Sequence, residues 1–256
     1  MNLFRKFENW RVLSAVKKHP LPFSRWKITN HLPCIQHLSP VEKARLRILT
    51  SVLLSQKQII GVQGLTLTNM MKLIIAAQAC IPILKLGLNY YSGFLQISVY
   101  PTAFWVKHEI RDASGVLHVQ KRLLSGESWS HGPVILSWDD ILDDMRPKQK
   151  GQNVIIHEFS HKIDMLNQGA NGVPPIHEKV NRQHWGKVFR NAYQRTNSEL
   201  DKHRRPLINA YSATSPAEFF AVVSEYFFTA PEHLLKNYPN VYKELTLFYR
   251  QDPAQH

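Results

Sequence analysis

Asn153-Val154-Ile155-Ile156-His157-Glu158-Phe159-Ser160-His161-Lys162-Ile163-Asp164 is the stretch on which both fold and chemistry turn. Asn153 suits a helix N-cap, and Asn167 with Gly169 can close the same helix. Ile155, Ile156, Phe159, Ile163 and Leu166 form its expected buried side. Positions four apart lie on one helix face, one turn above the other, so His157 and His161 can aim both imidazoles at a single ion. Neutral imidazole suits Zn²⁺, with one ion per chain. Glu158 is rotated off the shared axis of the two histidines. It is placed to reach a water at the metal, which is the general-base position, and is poorly placed to be a third ligand. So short a pattern also recurs by chance on helices that hold no metal. Here it lies on a capped, apolar helix, as the chemistry requires.

A catalytic zinc needs a third protein ligand and an open position. Downstream, Ser215-Pro216-Ala217-Glu218 reads as an N-cap, a first-turn proline and a capping-box acid. Glu218 therefore has a purely structural reading beside its reading as a ligand. Glu225, two turns along the same face, is the rival ligand, or else a carboxylate that orients a histidine from behind. Asp164, one turn past His161, can orient a histidine in the same way; solvated surface is its plain reading.

The surroundings fit a globular protein of α+β class, mainly helical, with a small mixed β-sheet packed beside the His157–His161 helix. Hydrophobic residues make up 44% and charged residues 20% of the 256 residues, which excludes wholesale disorder. Ser39-Pro40-Val41-Glu42 is a capping box that opens a helix to about Leu54. A second apolar helix is predicted over Asn69–Ala79. The hydrophobic stretch Leu73–Leu88 is broken by Gln78, Pro82 and Lys85 and is too short to span a bilayer, so no transmembrane segment is expected. Strands are predicted at 94–100, 115–119 and 133–138. The strand near Val134–Ser137 is either an edge on which an extended substrate pairs or an internal strand of the sheet. Leu3, Phe7 and Trp10 fall at helical spacing in a basic arm expected to pack on the body.

Cys34 and Cys80 stand in apolar surroundings without metal spacing and read as reduced core thiols. With no secretory signal at the start, the expected location is cytoplasmic. The net charge of +13 is scattered, and its densest run, Lys202-His203-Arg204-Arg205, reads as solvated surface. No helix-turn-helix, zinc-finger or stacking-platform signature accompanies it, so no specific nucleic-acid partner is expected.

His157-Glu158-Phe159-Ser160-His161 followed by Tyr211 and Glu218 resembles the gluzincin pattern of the anthrax lethal factor catalytic domain. A closer resemblance, to the Mlc titration factor A family of bacterial zinc metallopeptidases, runs through most of the chain. It is carried by Gly126-Glu127-Ser128-Trp129, His131-Gly132-Pro133-Val134-Ile135-Leu136-Ser137-Trp138, Gly172-Val173-Pro174, Ser224-Glu225-Tyr226-Phe227-Phe228 and Tyr249-Arg250-Gln251-Asp252-Pro253. The resemblance implies an N-terminal helical region, 1–90, and a zincin-like metallopeptidase region, 91–256, packed as one compact unit. It implies His157, His161 and Glu218 as zinc ligands, which favours Glu218 over Glu225, with Glu158 as base and Tyr211 stabilising the oxyanion. It also implies that His118 can approach the zinc from upstream and make the site latent. The implied activity is aminopeptidase-like hydrolysis of small peptides. The implied partner is the transcriptional repressor Mlc, through which the glucose phosphotransferase system is regulated. A regulatory binding protein with an idle or structural zinc site is the alternative.

Overall fold

The structure, a computed structural model, describes residues 12, 14–111, 117–124, 126–128, 132–146, 151–167 and 169–255, and within 104–128 the backbone alone. The basic arm of Leu3, Phe7 and Trp10 lies outside the described residues. Short helical turns at Phe23–Trp26, Lys27–His31 and Pro33–Gln36 lead into α1 (Pro40–Gln56). The turns stay short because Pro20, Pro22, Pro33 and Pro40 interrupt any long helix. Helix α1 starts where the capping box predicts. Ser39 Oγ accepts from the Glu42 N–H, and the Glu42 carboxylate accepts from the Ser39 N–H at 3.1 Å. Helix α2 (Asn69–Ala79) has the predicted bounds and buries Leu73, Ile75, Ala76, Ala77 and Ala79.

Four strands form a mixed sheet in the order β1 (Gln58–Gly61), β2 (Gln96–Tyr100), β6 (Val134–Ser137), β5 (Gly126–Ser128). The first three are parallel, with Ile97 opposite both Ile59 and Val134, and β5 runs antiparallel to β6. Between them in sequence, β3 (Phe104–Arg111) and β4 (Leu117–Leu124) make a separate antiparallel ribbon. Strand β2 carries three consecutive buried residues, Ile97, Ser98 and Val99, as a parallel strand covered on both faces does. Strand β6 is internal. Glu127 pairs with Ile135 on one side and Ser98 with Ile135 on the other, so no substrate can add to it. The edge beside it is β5.

Helix α3 (Trp138–Asp144) follows β6, and α4 (Val154–Asp164) packs against β5, β6 and α2. A C-terminal layer of α5 (Arg182–Asp201), α6 (Pro216–Thr229), α7 (Pro231–Asn237) and α8 (Pro239–Tyr249) closes over α4. One core runs from Trp26 to Tyr249, and its C-terminal half is aromatic. There Trp185 stacks on Phe189 at 4.1 Å, and Phe248 packs edge-on to Trp185 and Tyr249. Cys34 and Cys80 are free and buried, as expected of core thiols, and burial pushes the Cys34 thiol up to about 12. Among the described residues no helix is long and apolar enough to cross a membrane.

Candidate metal centre

Helix α4 is buried nearly all round, which a surface helix of this polarity would not be. Asn153 caps it as predicted, its side chain accepting from the Ile156 N–H at 2.9 Å. The helix stops at Asp164, and Leu166, expected on the buried side, lies past its end and is 39% exposed. Glu158, Ser160, His161, Lys162 and Asp164 are all buried, so each needs a partner or a task.

The two histidines meet the start of α6. His157 Nε2 stands 3.0 Å from Glu218 Oε2, His161 Nε2 stands 3.3 Å from the same oxygen, and the two ring nitrogens are 3.2 Å apart. Four ligands about 2.0–2.1 Å from a tetrahedral ion lie about 3.3 Å from one another, so this triangle is one face of such a site. The chemistry of the donors agrees. Glu225 Oε1 is 2.7 Å from His157 Nδ1, which holds the proton there and leaves a lone pair on Nε2 facing a carboxylate oxygen. Lone pairs converging in this way repel unless a cation lies between them. His157, His161 and Glu218 together can hold a metal ion.

Glu218 makes half of a capping box. Ser215 Oγ accepts from its N–H at 3.1 Å, but its carboxylate turns to the histidines and does not cap the helix start. Burial raises the Glu218 carboxyl pKa, and without metal the neighbouring His157 and His161 rings, when protonated, outweigh this and hold it well below the usual range. Glu225 sits behind His157 and takes no place in the triangle. Its second oxygen accepts from the Asn153 N–H at 2.6 Å, so one carboxylate both orients a ring and anchors the helix that carries it.

Asp164 is fully buried, which overturns its reading as solvated surface. Its Oδ2 accepts from the Gly172 N–H at 2.7 Å, while its Oδ1 and the Nδ1 of His161 are buried without a hydrogen-bond partner. Gly172, at φ +78, lies so close to the start of α6 that a Cβ there would stand 2.5 Å from the Pro216 carbonyl oxygen. Trp185 donates its indole N–H to the Gly172 carbonyl at 3.2 Å.

Glu158 is buried beside the triangle, and among the described residues its Oε2 has no hydrogen-bond partner. Burial pushes its carboxyl up to about 7, against the pull of His157 and His161. Lys162, on the same helix, is pushed down to about 8 by burial and donates to the Gly132 carbonyl at 2.8 Å. Tyr211 stands in a 3₁₀ turn (Ala210–Ala213), 46% exposed, with its ring 6.0 Å from that of His157. His118 lies on β4, opposite Ile110, and its side chain is outside the described residues.

Several supports escaped the sequence. The Asp144 carboxylate accepts from the Val154 N–H at 2.6 Å, and Gln78 accepts from the Asn153 amide at 2.6 Å. Gln78 had a signal, since a polar residue inside an apolar helix requires a buried partner. Asp144 had none, because its bond depends on how α3 meets α4.

These groups set a pH dependence. Without metal, Glu158 and Asp144 are both raised to about 7 and Asp164 to about 6, chiefly by burial. A raised pKa stabilises the fold fully below the unfolded value and loses that contribution as pH rises through the folded one. His157 acts in the same sense: burial opposes protonation, but the Glu225 and Glu218 carboxylates outweigh it and hold the ring well above its ordinary value. Glu218 has the opposite sign and matters only in acid. Metal-free protein is therefore expected to lose stability from about pH 5 to about pH 8. Urea midpoints measured in chelator would show it, and a midpoint rising over that interval would contradict it. Metal affinity should rise over the same interval, since the imidazoles must be deprotonated to bind.

A sequence model of the family described as glucose-regulated metallo-peptidase M90 matches residues 7–250. Proteins named Mlc titration factor A are similar over nearly the whole chain. That of Klebsiella pneumoniae (strain 342) is 39% identical over 235 residues, covering 90% of this chain and 87% of the relative. That of Salmonella agona (strain SL483) is 38% identical over 251 residues, covering 96% and 92%. That of Yersinia pestis (strain Pestoides F) is 39% identical over 233 residues, covering 90% and 85%.

Proposed function

The chain belongs to the glucose-regulated metallo-peptidase M90 family, and from that premise we propose that it is a zinc-dependent, aminopeptidase-like peptidase that also binds the repressor Mlc. The observation that carries the peptidase reading is the triangle of His157 Nε2, His161 Nε2 and Glu218 Oε2 with the buried Glu158 carboxyl beside it. Two imidazoles and a carboxylate leaving one tetrahedral position open are the donor set of a catalytic zinc. When bound, zinc supplies Lewis-acid polarisation of a carbonyl and a water acidified from about 15.7 towards 7.

The protein's own groups do the rest. Glu158, buried beside the triangle, takes the proton of the attacking water and returns it to the leaving amine. Glu225 keeps the His157 ring in the tautomer that presents Nε2. Tyr211, beside His157, donates its hydroxyl to the oxyanion; one such donor is typically worth about 2.7–4 kcal/mol. The β5 edge offers backbone groups to an extended peptide. His118 completes the proposal as the upstream donor that keeps the resting site latent. A His118→Ala chain hydrolysing peptide no faster than its parent would remove that part.

The name of the relatives supports the second activity, titration of Mlc. The experiment that tests the whole is hydrolysis of aminoacyl-nitroanilides and short peptides, with zinc measured in the same preparation. Activity should vanish with chelator and return with zinc. Stoichiometric zinc and retained Mlc capture without any hydrolysis would leave the regulatory binding protein as the reading.

A further inference from the structure

Away from the metal centre, a cavity of about 830 Å³ lies between residues 18–25, the start of α2 and the outer strand β1. None of its lining residues belongs to α4 or α6. Its size is that of a ligand pocket, typically about 300–1,000 Å³. The wall is unbalanced in charge: Lys18, Arg25 and Lys72 contribute to it, and no Asp or Glu does. Among the described residues none of these three cations is in an ion pair or a side-chain hydrogen bond. Lys57 also borders the cavity, but its ammonium is turned inward, donating to the carbonyls of Tyr91, at 2.6 Å, and Phe94. The floor is apolar, with Leu54, Ile59 and Leu73.

The start of α2 adds to the asymmetry. Thr68 and Asn69 line the cavity; Thr68 Oγ already caps the Met71 N–H at 3.2 Å, and the positive end of the helix dipole favours an anion there. Lys18 and Arg25 are exposed at the rim and Lys72 is half-buried. Gathered around one concavity with an apolar floor, they focus a positive potential on a volume that a ligand can fill.

We propose that this cavity is a binding site for a small organic anion of at least two negative charges with an apolar body, a phosphate ester or a polycarboxylate. The acid groups face Lys18, Arg25 and Lys72, and the apolar part covers Ile59 and Leu73. Arg25 supplies the planar fork that carboxylate and phosphate share.

The test is calorimetric titration of the metal-loaded full chain with 1-naphthyl phosphate, inorganic pyrophosphate and citrate, and with neutral 1-naphthol as control. Naphthyl phosphate should bind at one site, more weakly as salt rises. The triple variant Lys18→Gln, Arg25→Gln, Lys72→Gln should weaken it by about tenfold or more, or roughly 1.4 kcal/mol. Lys236→Gln, on the exposed side of α7, should leave binding unchanged. Zinc content and circular dichroism of the variants guard against a folding defect. Preference for naphthyl phosphate over citrate identifies a phosphate ester, and the reverse a polycarboxylate. Equal affinity in the triple variant, equal affinity for 1-naphthol, or no binding of any anion at millimolar concentration overturns the proposal. Peptidase activity is not the readout, so this result and the peptidase reading stand or fall separately.

Discussion

Replacing Glu158 with Gln is expected to lower peptide hydrolysis by about 10²–10⁴-fold while the protein keeps its metal. The side chain is buried beside His157 and His161 but takes no part in the triangle of donor atoms, so the amide should leave metal affinity nearly intact. The substitution conserves shape and removes only the group that accepts a proton. Among the described residues its Oε2 has no hydrogen-bond partner, and without metal burial raises its carboxyl to about 7, so no ion pair already holds it. Metal content and single-turnover hydrolysis in one preparation make the test. Wild-type rates in that variant would dismiss Glu158 as the base, and loss of metal would recast it as a ligand.

Glu218→Ala should do the converse and empty the site. Its Oε2 is the apex between the two imidazoles, 3.0 Å from one and 3.3 Å from the other. Removing an outer-shell partner costs about 10–100-fold in metal affinity, and removing a direct ligand should cost more. The stability that metal confers, about 2.7 kcal/mol at a hundredfold excess over the dissociation constant, should disappear with it. Ser215 Oγ still caps the Glu218 N–H position, since that bond is to the backbone, so α6 should remain folded. Thermal unfolding with and without added zinc separates the two effects. A zinc-induced shift of wild-type size in Glu218→Ala would transfer the ligand role elsewhere, with Glu225 the first candidate.

The elements readable in the chain were those with a local cause. The Ser39–Glu42 capping box and the apolar period of Asn69–Ala79 placed two helices, and the His-Glu-x-x-His spacing placed two ring nitrogens 3.2 Å apart. Strands β1, β3 and β5 escaped, β1 and β5 because four and three residues are too few to display an alternation. Only their neighbours in the sheet define β1 and β5. That same tertiary fact moved the sheet edge from β6 to β5. Between Glu218 and Glu225 spacing could not choose, because both lie on one face of α6. The approach of α4 sets Glu218 against both Nε2 atoms and Glu225 behind His157, a placement no spacing in the sequence shows. Asp164 looked like a surface acid because its partner, the Gly172 N–H, belongs to a loop with no periodic signal.

Gly172 touches both ligand-bearing helices at once, through the Asp164 carboxylate on one side and the Pro216 carbonyl on the other. It is thus a shim of least possible thickness, and it gauges the gap across which a cation can be shared. Sixty-one positions separate His157 from Glu218 in the chain, yet their fit depends on this one contact having no side chain in it. A bulkier residue at 172 would leave every donor atom in the chain and still spread the jaws too far to grip.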